Sequence, residues 1–269
     1  RSKVHLGYPW DLLRTYRPEI TYVTISWHRQ QELVGLLGCP PERIHVIYIG
    51  VHPNELLGIS DEEATLIDRL DLWNSDLNLL MPIRITQAKN IELAIHVGAE
   101  LKKKGVRTKL VVTGPPDPHD PSNMEYFQSL LILRDQLGVH EEIRFIYESG
   151  PEADKPYVVD MSVVSSLFRV SDALFMPSHR EGFGMPIIEA GFVGMPVFCT
   201  DTIPAAKEIG GEDVIVFAPE SGAVQIAGLI QNWMNTSSVH LLRRRIRQRF
   251  LWKNIFKHEI LQLLEGSPS

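Results

Sequence analysis

This chain has few of the features that mark membrane, nucleic-acid-binding or secreted proteins. No apolar run approaches the roughly 18 to 20 residues of a membrane-spanning helix. The formal net charge of -6 argues against the concentrated basic face that duplex nucleic acids require, so we expect no nucleic-acid partner. Only two cysteines occur, Cys39 and Cys199, and neither lies in a C-x-x-C pair, which favours a reducing, cytoplasmic compartment.

Metal-binding patterns are also missing. The sequence has no Asp-x-Asp motif and its histidines are not spaced as metal ligands, so we expect no metal and no bound cofactor. With 269 residues, 44% of them hydrophobic, the chain can still bury a full core. It begins with Arg1 instead of Met and enters structure almost at once, and we therefore expect it to be the back half of a larger protein.

From Leu79 onward, the sequence alternates short apolar runs with segments of helical spacing. The apolar runs lack polar alternation, which is typical of strands buried on both faces, so the pattern predicts a doubly wound α/β fold with a parallel sheet. The predicted strands are Leu79–Ile85, Lys109–Thr113, Ile143–Tyr147, Ala173–Met176, Val197–Cys199 and Val214–Phe217. The predicted helices are Ile91–Lys104, Met124–Leu137, Val163–Val170, Pro186–Val193 and Ala223–Met234.

A shorter alternation precedes this region. Two predicted strands, Thr21–Ile25 and Ile44–Ile49, flank a predicted helix over Trp27–Leu37. The next segment, Val51–Ser60, has loop character and contains Gly58, so we expect a hinge or domain boundary there.

The most informative segment is E-G-F-G-M-P-I-I-E, which follows the predicted strand Ala173–Met176 and runs from Glu181 to Glu189. Open α/β sheets bind their ligands at strand ends of this kind. Gly182 and Gly184 let a ligand approach the backbone N–H groups, and carboxylates accept hydrogen bonds from pairs of sugar hydroxyls. The alternative is that each glutamate merely favours the start of a helix.

The separation of the two glutamates argues against a glycosidase. A retaining hydrolase holds its two carboxyl groups roughly 5 Å apart across one bond. Glu181 and Glu189 lie eight residues apart across a turn and a helix start, so we expect them to address different parts of one ligand.

Arg84 and Lys89 form a second candidate group. They lie between a predicted strand and the helix that begins at Ile91, where free N–H groups and a partial positive charge suit a phosphate or diphosphate. Taken alone, the pair is better interpreted as two solvated surface side chains, since such residues are common at strand ends.

Together these segments resemble the retaining glycosyltransferases of family 4, the group 1 enzymes with the GT-B fold. The spacing of Glu181 and Glu189 matches their E-x7-E signature, and P-S-H-R-E-G-F-G-M-P-I-I-E-A is similar to the core of their donor-binding domain. P-I-R-I-T-Q-A-K-N, G-M-P-V-F-C-T-D and the upstream P-P-E-R-I-H-V-I-Y-I-G-V-H-P also match, in the family's order. The segment T-D-T-I-P, from Thr200, is one residue longer than usual.

The resemblance implies a role for each matching residue. Arg84 and Lys89 would bind the donor diphosphate, Glu181 would face the hydroxyls of the donor sugar, and Glu189 would hold the nucleotide ribose. Arg84, Lys89 and Glu181 are the implied catalytic residues. The remaining contacts to the donor, including the border of the base pocket, are expected from Gly114, Tyr147, Glu148, Gly182, Phe183, Gly184 and Met185.

The implied reaction transfers a sugar from a nucleotide diphosphate sugar, with retention at the anomeric carbon. The nucleotide sugar is a co-substrate, and the acceptor is a sugar, a lipid-linked molecule or a small molecule that the sequence does not identify. Negative charge grows on the leaving diphosphate, so preplaced cations and backbone amides would stabilise the transition state more than the ground state. A front-face reaction would then require no protein nucleophile.

The resemblance also implies three divisions of the chain. Residues 1–52 would be the end of an N-terminal acceptor-side domain, the remnant of a second Rossmann-like domain. Residues 53–240 would form the donor-binding domain. Residues 241–269 would form a C-terminal helix that packs back toward the N-terminal part. Neither His5 nor His28 has the context of the family's histidine near the reacting sugar, and each is better interpreted as an ordinary surface or packing residue.

Two other functions stay open. The chain is alternatively a nucleotide-sugar-binding module without transfer activity, because its acceptor domain is truncated. A GT-B-like sugar-nucleotide epimerase agrees less well with the spacing around Glu181.

The arginine-rich segment near the C-terminus has two interpretations. A solvated face around an apolar stripe that packs back on the body is preferred. Peripheral contact with an anionic membrane that carries a lipid acceptor is the alternative. The arginines concerned are Arg243, Arg244, Arg245, Arg247 and Arg249.

Overall fold

A computed structural model describes residues 6–152 and 155–265 of the chain. His5 lies outside the described residues, as do the outermost ends of the first and last predicted divisions. The chain forms two compact units, one made of residues 1–52 with 248–269 and the other of residues 53–247. The three divisions that the resemblance implies, residues 1–52, 53–240 and 241–269, stay predictions. The acceptor-side and donor-side roles of these units stay predictions.

The helices and strands follow one another in a regular order along the chain. In that order they are α1 (Trp10–Leu13), β1 (Tyr22–Thr24), α2 (Trp27–Leu37), β2 (Ile44–Val46), α3 (Pro53–Leu57), α4 (Asp61–Arg69), β3 (Leu77–Met81), α5 (Ile91–Lys103), β4 (Thr108–Val112), α6 (Ser122–Gln136), β5 (Ile143–Phe145), α7 (Met161–Val170), β6 (Ala173–Met176), α8 (Met185–Phe192), β7 (Val197–Thr200), β8 (Ile215–Phe217), α9 (Ala223–Thr236), α10 (Ser238–Arg249), α11 (Trp252–Ile255) and α12 (Leu261–Leu264). None of the described helices is long and apolar enough to cross a membrane.

The larger unit is built on a parallel sheet. Among the described residues this sheet has six strands in the order β5-β4-β3-β6-β7-β8, and every neighbouring pair is parallel. All residues of β3, β4 and β6 are buried, because helices connect successive strands and cover the sheet. The predicted α/β fold with a doubly wound parallel sheet is confirmed.

Burial of apolar side chains from the strands and the surrounding helices forms the core of this unit. Aromatic rings contribute much of it: Phe127 packs edge-on against Phe145, and Phe175 stacks on Phe217 with 5.9 Å between ring centroids. Helix α5 contacts both α6 and α9, while α7 contacts α4 and β3. Helices α5, α6 and α9 supply buried apolar side chains to this core, as the helical spacing of the sequence predicts.

Two differences from the sequence-based expectations have clear physical causes. The predicted strand Leu79–Ile85 is β3, which begins two residues earlier and ends at Met81, because Pro82 has no N–H to donate to a sheet. Helix α4 was not predicted, although its start carries a readable signal. Ser60 accepts a hydrogen bond from the backbone N–H of Glu63, and the Glu63 side chain accepts one from the N–H of Ser60, forming a capping box.

The smaller unit contains the parallel pair β1 and β2. Helix α2 has the predicted bounds because Ser26 caps its N-terminus and Gly38 ends it in the left-handed region, at a φ of 62°. His28 is exposed on this helix, in agreement with an ordinary surface histidine. The described C-terminal residues add α11 and α12 to this unit.

A buried charge cluster lies where β3 and β6 begin. Asp172, whose side chain is 1% exposed, accepts hydrogen bonds from both terminal nitrogens of Arg247, at 3.1 and 2.9 Å, and from the backbone N–H of Asn78. Asp76 lies 3.0 Å from Arg107 and 2.9 Å from Arg244. Two carboxylates at the starts of neighbouring strands therefore pair with Arg243, Arg244 and Arg247 of α10.

The charges around Asp76 stabilise its ionised form. Burial by itself raises the pKa of Asp76, but hydrogen bonds from Arg107 and the charge of Arg244 outweigh it and hold that pKa below its usual range. Because the folded pKa is lowered, the ionised Asp76 stabilises the fold above the pKa of the unfolded chain, and this contribution is lost as the pH falls.

The expectation of a solvated arginine face is wrong for Arg247, whereas Arg243 and Arg244 are 37% and 36% exposed but also pair with the aspartates. Each of these residues bonds or pairs with an aspartate of the cluster, and the side chain of Arg247 is only 4% exposed. Sequence periodicity did not show this because the aspartates lie about 70 to 170 positions away in the chain. Arg245 and Arg249 are exposed.

We predict that Asp172→Asn lowers the free energy of unfolding by about 3–5 kcal/mol, because it leaves the Arg247 guanidinium buried without its counter-charge. Urea unfolding measures this difference. The matched control, Arg245→Gln on an exposed position of the same helix, should stay within about 0.5 kcal/mol of the original chain. Equal effects of the two substitutions would contradict the prediction.

Candidate active site

The order of the strands creates a crevice in the larger unit. After β3 the chain moves outward on one side through β4 and β5, and it returns to add β6 on the other side of β3. Leu79 pairs with Ala173 and Leu80 with Leu174, so the carboxyl ends of these two strands lie side by side. Such a reversal point is where open α/β sheets bind ligands.

The segments that leave β3 and β6 are joined to each other. The backbone N–H of His179 donates a hydrogen bond of 2.9 Å to the carbonyl of Ala88. Asn90 then adopts the left-handed region at a φ of 51°, which turns the chain into α5. These contacts place Lys89, immediately after Ala88, opposite the residues that follow His179.

Lys89 and Glu181 meet across this junction. The Nζ of Lys89 donates to Oε1 of Glu181 at 2.6 Å, and both side chains are largely buried, at 19% and 10% exposure. The hydroxyl of Ser178 donates to the same carboxylate oxygen at 2.9 Å. The structure thus brings together a cation from the first predicted group and a carboxylate from the second, 92 positions apart in the sequence.

Arg84 lies in the same segment after β3 and lines the same cavity as Lys89, but it is more exposed. Its Nη1 lies 3.5 Å from both carboxylate oxygens of Asp117, in the loop that follows β4. The backbone N–H of His119 and the charge of Arg84 hold the pKa of Asp117 below its usual range. Arg84 is therefore paired with the carboxylate of Asp117. At 3.5 Å this contact is long, so a phosphate can compete with the carboxylate for Arg84.

The loop after β4 runs close to the segment after β3. Gly114 donates to the carbonyl of Ile83 at 3.0 Å, and Ile85 donates to the carbonyl of Pro115 at 3.0 Å. A Cβ atom on Gly114 would lie 2.4 Å from the carbonyl oxygen of Ile83, so only glycine permits this approach. The predicted site residue Gly114 thus holds the loop of Asp117 against Arg84.

The Gly-Phe-Gly turn leads from the crevice into α8. Gly184 precedes the helix at a φ of 106°, in the region that favours glycine, and Pro186 lies in the first turn of the helix. The carbonyl of Phe183 accepts a hydrogen bond of 2.9 Å from the N–H of Ala205. The turn is therefore fixed on both sides, with the first N–H groups of α8 directed toward its N-terminus.

Two neighbouring cavities open along this edge of the sheet. The first, of about 570 Å³, is lined by Arg84, Lys89, Glu181 and the turn from Gly182 to Met185. The second, of about 460 Å³, is lined by Gly114, Met185 and Glu189 among others. Five residues line both, so the two cavities adjoin and are together called the cleft: Pro82, Ile83, Arg84, Met185 and Pro186.

Two predicted site residues lie elsewhere. Tyr147 packs edge-on against Phe127 at the border of the core, and Glu148 forms an ion pair with the buried Arg134. Neither residue lines the two cavities of the cleft. Their placement beside the base therefore has no support from this geometry and stays a prediction.

The sequence did not single out two residues that the structure brings to the cleft. Asp117 lies in the Pro-rich loop from Gly114 to Pro121, and a carboxylate in a loop that follows a strand is a readable but weak signal. Ser178 is buried and precedes the E-G-F-G segment by only a few residues. Its contact with Glu181 depends on the turn geometry, which residue spacing does not specify.

We predict that Gly184→Ala lowers the free energy of unfolding by about 2–4 kcal/mol, since a Cβ adds left-handed strain and overpacks the site. That Cβ would lie 2.6 Å from Cγ2 of Ile203. Gly182→Ala is the matched control, because a Cβ there has no atom within 4 Å and the φ is not positive. Urea unfolding of the two variants should separate them, and similar losses of stability would show that the turn geometry is wrong.

Comparison with curated proteins finds relatives that are glycosyltransferases. An uncharacterized glycosyltransferase of Methanocaldococcus jannaschii is 24% identical over 93% of this chain and 61% of its own length. A D-inositol 3-phosphate glycosyltransferase of Streptosporangium roseum is 27% identical over 77% of this chain and 44% of its own length. The chain therefore spans about half the length of the curated relatives it matches.

Solved structures show the same fold. A Rickettsia africae glycosyltransferase superposes with a TM-score of 0.53 over 91% of this chain and 64% of its own, at 19% identity. Anabaena HepE, solved with UDP and glucose, gives 0.51 over 91% and 63%, at 18% identity. The C-terminal domain of a group 1 glycosyltransferase from Francisella tularensis gives 0.51 over 71% of this chain and 92% of its own, at 23% identity.

The strand order, the cleft and these similarities agree with one family. The family model for glycosyl transferases group 1 matches residues 72–249, which contain the whole six-stranded sheet of the described residues and both sides of the cleft. The fold neighbours are GT-B glycosyltransferases, as the resemblance in the sequence implied. The chain belongs to the group 1 glycosyltransferases.

Proposed function

We propose that this chain is the donor-binding part of a retaining glycosyltransferase, which transfers a sugar from a nucleotide diphosphate sugar to an acceptor. One observation carries the proposal: Arg84, Lys89 and Glu181 line one cavity at the reversal point of the sheet. Two cations and a carboxylate match the two chemically different parts of such a donor, the diphosphate and the sugar.

The diphosphate is assigned to the side of the cleft that holds Arg84 and Lys89. Both side chains line the same cavity as the N-terminus of α8, where free N–H groups favour anions. The ion pairs with Asp117 and Glu181 keep both cations in place before the donor arrives. As the bond to the sugar breaks, these preplaced charges stabilise the diphosphate that leaves.

The sugar and the nucleoside are assigned to opposite ends of the cleft. Glu181 lies in the cavity with the phosphate-binding cations and faces the donor sugar, whereas Glu189 lines the second cavity and holds the ribose. Glu189 lies within α8, about one turn beyond Pro186. The diphosphate therefore bridges the two cavities beside Arg84, which lines both.

Retention at the anomeric carbon is proposed to occur on one face of the sugar. Oε1 of Glu181 already accepts hydrogen bonds from Lys89 and Ser178, which suits a group that orients hydroxyls better than one that attacks carbon. In a front-face reaction the leaving phosphate oxygen accepts the proton of the acceptor hydroxyl. The bond from sugar to phosphate breaks as the bond from sugar to acceptor forms.

A second candidate function is nucleotide-sugar binding without transfer. The observation that favours it is length, since the chain spans 44% of the Streptosporangium relative and 61% of the Methanocaldococcus relative. Both functions predict donor binding by the chain. A transfer assay separates them, carried out on the chain and on a longer protein of the relatives' full length.

We predict that Arg84→Ala and Lys89→Ala each weaken binding of a nucleoside diphosphate about tenfold to a hundredfold, because each removes a charge-assisted hydrogen bond. Binding of the bare nucleoside should change little. A thermal-shift panel of UDP, GDP, ADP and their sugars selects the base, and isothermal titration calorimetry measures the affinities. Lys104→Ala, at the exposed far end of α5, is the matched control. Unchanged diphosphate affinity in both cleft variants would refute the phosphate assignment.

We predict that Glu181→Ala lowers turnover of the nucleotide sugar at least tenfold while the affinity for the nucleoside diphosphate falls only a few-fold, since the lost contact is to the sugar. Donor hydrolysis by the chain and transfer by the longer protein are the two assays. Glu62→Ala removes an exposed carboxylate on α4 and should leave both rates unchanged. Full turnover by the Glu181 variant would place the sugar elsewhere.

A further inference from the structure

Ser178 is a buried residue in the segment that connects β6 to the Gly-Phe-Gly turn. It has no exposed surface, and its hydroxyl donates a hydrogen bond of 2.9 Å to Oε1 of Glu181. A buried hydroxyl directed at a single carboxylate oxygen restricts the rotation of that carboxylate.

Both protein donors to Glu181 use the same oxygen. The Nζ of Lys89 and the hydroxyl of Ser178 donate to Oε1, whereas Oε2 accepts no hydrogen bond from any residue within 6–152 and 155–265. A carboxylate oxygen has lone pairs for two donors, so Oε1 is saturated and Oε2 keeps its full capacity. The arrangement therefore leaves one oxygen of Glu181 for a ligand.

Ser178 is itself held from the neighbouring strand. Its carbonyl accepts hydrogen bonds from the hydroxyl of Thr200 at 2.7 Å and from that of Thr202 at 3.3 Å. Thr200 is the last residue of β7 and is 1% exposed. Because Ser178 and Thr200 are both buried, the hydrogen bond between them holds Ser178 to the end of β7 without competition from water.

We propose that Ser178 is a positioning residue: together with Lys89 it fixes Oε1 of Glu181, so that Oε2 faces the cleft and accepts a hydroxyl of the donor sugar. The proposal rests on the function proposed above and adds a residue to it. Ser178 acts through Glu181 and does not contact the substrate. Its removal therefore affects the sugar and leaves the diphosphate contacts of Arg84 and the turn in place.

The test compares two ligands on the same variant. Calorimetry measures the affinity of the 269-residue chain for a nucleoside diphosphate and for its nucleotide sugar, with UDP and UDP-glucose as the first pair. In Ser178→Ala we expect the affinity for UDP to stay within about twofold and that for UDP-glucose to fall about 5- to 30-fold. Ser171→Ala, which removes another buried hydroxyl without a hydrogen-bond partner among the described residues, should change neither.

A second variant keeps the inference testable if Ser178→Ala does not fold. Thr200→Val preserves the shape of the side chain but removes its hydrogen bond to the Ser178 carbonyl, so a smaller loss confined to UDP-glucose is expected. Equal losses for both ligands, or no loss for either, would overturn the role of Ser178 and leave the proposed function intact. A chain that binds no nucleoside diphosphate or nucleotide sugar of the panel would overturn both.

Discussion

The adjacency of β3 and β6 is the constraint on which the candidate site depends. These strands are neighbours because the chain reverses its direction of winding between them, and their loops then face each other. The hydrogen bond from His179 to the carbonyl of Ala88 fixes that meeting at the level of the backbone. If β3 and β6 were not neighbours, Lys89 and Glu181 would lie on separate loops and would not contact each other.

Charge balance within the cleft follows from this arrangement. Lys89 is paired with Glu181 at 2.6 Å and Arg84 with Asp117 at 3.5 Å, so the two cations differ in how strongly the protein holds them. The pair of Lys89 and Glu181 is mostly buried and pre-organised, whereas the Arg84 side chain is 57% exposed. On the proposed function, Lys89 supplies a fixed charge and Arg84 exchanges a weak protein partner for the diphosphate.

Charged side chains lie at both ends of β3 and β6, and they differ in what they contact. Where β3 and β6 begin, Asp172 and Asp76 pair with arginines of α10, and the pair of Asp172 with Arg247 is buried. Where the same strands end, the charges line an open cleft. Placing the stabilising pairs at one edge lets the opposite edge keep charged groups that are available to a substrate.

The sequence by itself determined the fold class, the bounds of β6 and α2, and the two charged segments, because strand burial, helix capping and glycine turns depend on neighbours in the chain. Tertiary structure alone decided that Lys89 contacts Glu181 and that Asp117 pairs with Arg84. It also decided that Glu148 pairs with Arg134 and that Arg247 of α10 is buried against Asp172. Each of these pairs joins side chains from separate elements, and their geometry follows from strand order and loop packing, which local residue patterns do not encode.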